Sequence, residues 1–273
     1  MSRFLTVRTP PFGGKIPRRH APTRRRYEDF RSCLRWEFGF TCAICLLHER
    51  DVVPLEVGAE GTRQFWIEHT IPRSDPAVGA ERKDDYTNGL YTCAFCNHAR
   101  RDRPRVSADG RLLNPIDDDW SQHFEWKDDH LEPTSTFDRD ATRTRNCYEI
   151  NDSNRTVRRA ARKRSIEDLE RDIQARLDDI RAVDEELGSD RLDEVRRQQK
   201  RSQRNRWAEE ARRKRDALRD HFRGIPQDRP LSCECAHPDT NCQVPAVVKA
   251  GWRDLPDYTI PELPRERPRK FRA

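Results

Sequence analysis

The spacing of apolar positions changes several times along this chain, and each change marks a segment. Over 27–39 (YEDFRSCLRWEFG), Phe30, Cys33, Leu34 and Phe38 fall three to four residues apart. That spacing predicts a short helix with one apolar face, ended by Gly39. Two β-like runs follow, 52–57 (VVPLEV) and 64–69 (QFWIEH), and Gly58 and Gly61 between them predict a hairpin. Residues 70–74 read as a loop, 85–90 as a lead-in to a cysteine pair, and 94–103 as a short helix stopped by Pro104. The stretch 111–150 scatters Trp120, Phe124, Trp126 and Tyr148 without a period and predicts irregular chain with short strands. From about 154 the period becomes helical again. Ile166, Leu169, Ile173, Leu177, Ile180 and Leu187 form a narrow seam in a background of Arg, Asp, Glu and Lys. Gly188-Ser189-Asp190 interrupts it, and Leu192, Val195, Trp207, Ala211, Leu218 and Phe222 mark a second helix. An antiparallel helical hairpin or short coiled coil is the expectation for 151–223. No internal repeat is visible.

The remaining segments are polar. Residues 1–26 form a basic arm in which Lys15, Arg18, Arg19, His20, Arg24, Arg25 and Arg26 crowd together, and 224–273 read as an extended Pro-rich tail. Charged residues make up 37% of the 273, the hydrophobic set only 34%, whereas an average globular chain is about 25% charged. The core is therefore small, and the expected fold is α+β: a compact module over 27–150, then solvated helices and tail. The net charge of +6 and pI near 8.9 are modest. Arginine clusters at 15–26, 100–105 and 155–164 matter more for gripping phosphate, although each such run reads equally well as a solvated face. The first residues, MSRFLTVRTPPFGGK, lack the apolar stretch of a signal peptide, and no apolar run approaches ~18 residues. The expectation is a cytoplasmic protein with no membrane partner.

Nine cysteines in so charged a chain suit metal binding in a reducing compartment better than disulfides. Cys42-x-x-Cys45 and Cys93-x-x-Cys96 together supply the four soft ligands of one structural Zn²⁺, with 47 residues between the pairs. Four cysteines leave the zinc no open position, so its role is to fix distances. Between and beside the pairs stand Glu68-His69, Asn88 and Asn97. These residue types suit phosphodiester hydrolysis. A neutral His69 can take a proton from water near pH 7. Glu68 and Asn97 offer the hard oxygen donors that Mg²⁺ or Mn²⁺ prefers, and Asn88 can hold the His69 ring. The alternative is a zinc module that docks nucleic acid or a partner without cutting. A further cluster, Cys233, Cys235, His237 and Cys242, is a candidate second zinc site, with a reduced loop as its plain alternative. The helical seam offers a surface for self-association or a partner subunit.

Three stretches carry a resemblance to a known family: Ile67-Glu68-His69-Thr70-Ile71-Pro72-Arg73-Ser74, Asn88-Gly89-Leu90, and Cys93-Ala94-Phe95-Cys96-Asn97. Together they resemble the HNH endonucleases in the variant with a four-cysteine zinc. The resemblance implies a ββα-metal module that cleaves DNA with one Mg²⁺ or Mn²⁺. It implies His69 as general base, Glu68 and Asn97 as ligands of the catalytic metal, and Asn88 as the residue that orients the ring. Arg73, Arg100 and Arg101 become the residues expected at the DNA, Arg100 falling where the family often has a lysine. Many members have Asp where Glu68 stands, and His98 is the alternative metal ligand to Asn97. Looser motifs continue through Leu112-Leu113-Asn114-Pro115, His123-Phe124, Glu132-Pro133 and Glu149-Ile150-Asn151, followed by Arg158-Arg159. Over roughly 27–165 they are similar to HNH components of Septu-type and retron-linked anti-phage systems, which implies a defence role beside a partner ATPase.

Overall fold

The computed structural model describes residues 26–51, 65–76, 79–101, 103–189 and 192–221. The arm before residue 26, the 52–57 run, the Pro-rich tail and the Cys233, Cys235, His237 and Cys242 cluster lie outside the described residues. The described chain divides into two units, 26–164 with His221 and 165–220.

In the first unit a 3₁₀ turn, Tyr27–Phe30, runs into helix α1, Arg31–Glu37. Phe30, Cys33, Leu34 and Phe38 are all buried, as their spacing predicts. The chain turns back through Gly39 and Phe40 at φ 59° and 60°. Strand β1, Phe65–His69, pairs antiparallel with β2, Gly89–Cys93, from Phe65↔Cys93 to His69↔Gly89. Between them lie a single helical turn α2, Gly79–Arg82, and a 3₁₀ turn, Tyr86–Asn88. Helix α3, Ala94–Arg100, follows β2 directly. Among the described residues the partner of β1 is thus 89–93; the 52–57 run that the sequence pattern offers lies outside them. All five residues of β2 are buried, so the alternation that flags a half-buried strand is missing there.

A short hairpin of β3, Val106–Ser107, and β4, Gly110–Arg111, leads to the four-residue α4, Trp120–His123. A second hairpin, β5 (Phe124–Lys127) and β6 (His130–Pro133), turns through Asp128 at φ 55°. Helix α5, Arg139–Cys147, starts at Asp138, whose side chain accepts from Ala141 N at 2.9 Å. Helix α6, Ser153–Leu187, and helix α7, Glu194–Asp220, complete the chain described. One apolar cluster unites α1, the cysteine loop, β2, α4, β6 and α5 through Leu34, Ile44, Leu90, Trp120, Leu131 and Ala141. Phe65 stacks on Tyr91 across the β1–β2 pair, with ring centroids 4.9 Å apart. At about 1.5–3 kcal/mol for each large apolar side chain removed from water, this cluster is what holds the small sheets in place.

The second unit is the remainder of α6 with α7. Ion pairs join Glu186 to Lys200, Asp184 to Arg204, Arg176 to Glu210 and Asp172 to Lys214. One member climbs as the other falls, so the helices run antiparallel. Ile166, Ile173, Ile180 and Val183 are buried on α6, and Ala208, Ala211 and Leu218 on α7. The charged faces remain in solvent, where such pairs contribute at most ~1 kcal/mol each. Among the described residues no helix is long and apolar enough to cross a membrane.

Candidate functional site

The four cysteines of the paired motifs converge. Cys42 and Cys45 lie in a tight loop, in which Cys42 N donates to Leu47 O and Leu46 N to Cys42 O. Ala43 N donates to Tyr91 O at 2.8 Å and so ties that loop to β2. Cys93 ends β2 and is the N-cap of α3, and Cys96 sits in the first turn of that helix. All four are fully buried, and their sulfurs lie within 4.8 Å of one another. Cys45 Sγ and Cys93 Sγ are 3.5 Å apart, too far for a disulfide of about 2.05 Å. With Zn–S near 2.3 Å, a tetrahedron of sulfurs has edges of about 3.8 Å. The cluster fits that tetrahedron and can hold a zinc ion.

Two buried arginines of α6 lie against it. Arg155 Nη1 is 3.8 Å from Cys96 Sγ and donates to the carbonyls of Tyr148 and Glu149. Arg159 Nη1 donates to Cys45 O at 2.9 Å and to Ile150 O at 2.8 Å. Zinc with four thiolates carries two net negative charges, and two guanidinium groups offset them in a low-dielectric setting. Burial lowers the affinity of Arg155 for its proton, but the surrounding cysteines raise it above the ordinary value. This run, 155–164, is a structural brace: Arg158 and Arg162 meet the backbone and side chain of Asp51. For these four arginines the expectation of a phosphate grip is corrected accordingly; Arg164 at the end of the run is exposed.

At the end of β1, His69 is buried with Nε2 2.9 Å from Lys83 O. The Tyr27 ring meets it edge-on, centroids 5.1 Å apart. Burial lowers the His69 pKa below its ordinary value; the Lys83 contact opposes this and the charges of Arg73 and Arg100 add to it. Glu68, also buried, is paired with Arg100 of α3. Arg100 donates as well to the carbonyls of His69 and Thr70, the latter at 2.9 Å. It is 1% exposed. Arg100 is therefore a strut between α3 and the end of β1, not a side chain offered to a phosphate as its sequence position suggests. Its long apolar stem and planar fork suit it to reach three acceptors at once.

Asn88 is buried, and its amide bonds backbone: Oδ1 accepts from Ile71 N at 2.8 Å, and Nδ2 donates to Ile71 O and Arg82 O at 3.1 Å. It holds the loop after β1 and the end of α2, while the His69 ring is held by Lys83 O. The ring-orienting role expected of Asn88 passes to that carbonyl. Asn97 is half-buried on α3, and among the described residues its side chain makes no hydrogen bond. It lies three residues before Arg100 on the same helix. Arg73 is exposed, donates to Tyr27 Oη at 3.2 Å and stands over that ring. Arg101 is exposed at the C-cap, where φ of 50° ends the helix short of the expected 103. His98 is exposed on the same helix.

Sequence reasoning missed Lys83 and Tyr27, and it read the run that holds Arg155 and Arg159 as a phosphate grip. Lys83 acts through its backbone, which leaves no mark in residue type, and the arginines look like any others in an arginine-rich chain. Tyr27 carried a signal, as an aromatic at the start of the first apolar helix. The chain matches no family model, no curated protein and no solved structure with which it was compared.

Proposed function

We propose that this protein is a metal-dependent nuclease of the HNH type that hydrolyses DNA phosphodiester bonds. The observation that carries the reading is the 2.9 Å contact of His69 Nε2 with Lys83 O. A carbonyl oxygen only accepts, so Nε2 bears the proton and Nδ1 keeps the basic lone pair. Burial favours the neutral ring. His69 takes a proton from water at Nδ1, the water oxygen attacks phosphorus, and the bond to the leaving oxygen breaks. Glu68 and the unbonded Asn97 amide are one carboxylate and one neutral oxygen donor, which fit a hard cation in kind. Bound there, Mg²⁺ or Mn²⁺ supplies positive charge to the phosphate and the leaving oxygen. Zinc at the four cysteines keeps β2 and α3 in register with the loop of Cys42 and Cys45.

A second reading, a zinc module that binds nucleic acid without cutting, is favoured by the Glu68–Arg100 pair, which already neutralises the carboxylate assigned to the cation. Incubating supercoiled plasmid with the wild-type protein in Mg²⁺, Mn²⁺ or EDTA separates the two. The nuclease reading requires nicking in a divalent cation and none in EDTA. An intact plasmid in every condition, with zinc bound and DNA retained by the protein, favours the binding module.

A further inference from the structure

A groove lies in the first unit, between α5 and the chain that follows α3. Its volume is about 530 Å³, within the roughly 300–1,000 Å³ range of ligand-binding clefts. Three arginines line it against one acid, Asp109. Arg143 is committed to the wall, donating to the carbonyls of Pro104, Arg105 and Gly110 at 2.6–2.9 Å. Arg103 and Arg139 are exposed, and neither has an ion-pair partner among the described residues. The rest of the polar lining is neutral: Ser107, Thr136, Thr142 and Asn146. Phe137, next in sequence to the lining residue Thr136 but not itself part of the lining, is 92% exposed.

Two unpartnered guanidinium groups, neutral hydrogen-bonding groups and a bare aromatic ring are the elements that recognise a nucleotide. The charges meet phosphate, the hydroxyls and amide meet sugar or base edges, and a ring accepts a stacked base. The position of the groove fits the same conclusion. Arg103 lies six residues after Asn97. Three helical steps and three extended ones span at most about 15 Å. Duplex DNA advances about 3.4 Å per base pair, so the groove lies within four or five base pairs of Asn97. Asp140 keeps its carboxylate out of the groove, bound to Arg111 N and Arg111 Nε.

We infer that this groove is a subsite for a nucleotide of the strand being cut, its phosphates held by Arg103 and Arg139 and its base against Phe137. The inference rests on the nuclease reading for what the strand is, but its test does not depend on cutting. Binding of a short fluorescein-labelled duplex, and of its single strand, is measured by anisotropy over a range of salt with the full chain carrying His69→Ala. Against that background Arg103→Glu/Arg139→Glu is compared with Arg206→Glu/Arg213→Glu, an equal change of charge on exposed positions of α7. Zinc content and circular dichroism establish that each variant is folded.

The expected result is about tenfold weaker binding for the groove variant, and a salt slope reduced by about 1.8 for two lost phosphate contacts on duplex. The α7 variant changes affinity by less than about twofold, and Phe137→Ala weakens the single strand more than the duplex. Equal losses in the two charge variants overturn the inference. Adenosine monophosphate, tested as competitor, gives the other arm. Saturable binding that the groove variant loses while oligonucleotide affinity stays unchanged assigns the groove to a free nucleotide and overturns its assignment to the strand. Loss of oligonucleotide affinity in the groove variant beyond that in the α7 variant sustains it, even where the wild type cuts nothing and the nuclease reading falls.

Discussion

Replacing Arg100 by Met keeps most of the apolar stem and removes the fork that joins Glu68, His69 O and Thr70 O. The two carbonyls lose a donor at about 1 kcal/mol each. The Glu68 carboxylate, with 10% of its side chain exposed, loses its compensating charge. Breaking a buried pair from one side costs about 3–5 kcal/mol in all. For a chain of this size that corresponds to a fall in melting temperature of roughly 6–20 °C. Urea unfolding followed by tryptophan fluorescence measures the loss. Adding Glu68→Gln to Arg100→Met removes the stranded charge and restores part of the stability, with a coupling of about 1 kcal/mol or more. A loss below about 1 kcal/mol, accompanied by weakened DNA binding, refutes the reasoning. It means that Arg100 faces solvent and serves a phosphate.

Three further outcomes are expected. Cys42→Ser or Cys93→Ser removes the zinc of the four-cysteine cluster, measured by elemental analysis. It abolishes cooperative unfolding of the first unit, because a structural zinc contributes about 10–16 kcal/mol against a typical total stability of about 5–15 kcal/mol. His48 is buried, and burial first, then Arg162 and Arg50, hold its pKa well below the ordinary value. The unfolded chain therefore binds the proton first, so stability present above about pH 6.5 is lost as pH falls below it; His48→Gln flattens that part of the urea-midpoint profile, and an unchanged profile rules the assignment out. Gly110 has φ of +121°, and a Cβ there would lie 2.8 Å from Asp140 Oδ1. Gly110→Ala should cost about 1–3 kcal/mol, read as a drop in melting temperature, whereas an unaltered melt means that the turn relaxes freely.

The features legible in the sequence are those with local causes. Cys-x-x-Cys spacing, the face of α1 and the apolar residues of α6 are each set within a few residues. Strand β2 was hidden because burial on both sides erases alternation. Helix α5 was hidden because RDATRTRNC has a single aliphatic residue, Ala141, and its clearest signal is the cap at Asp138. The arginines show the same limit most plainly. Arg100 reaches acceptors 30 to 32 residues away, and Arg159 meets Cys45 across 114. Whether an arginine faces a phosphate or a carbonyl is decided by tertiary packing, so identical residue types in 100–105 divide between the strut Arg100 and the exposed Arg101 and Arg103.

In the proposed mechanism His69 takes the proton from the attacking water. Single-turnover cleavage of labelled duplex in Mn²⁺ by wild type and His69→Ala, with and without added imidazole, tests it most directly. The variant's rate is expected to be lower by about 10²–10⁴-fold and partly restored by imidazole in proportion to its neutral form. Cleavage by His69→Ala at the wild-type rate would contradict it.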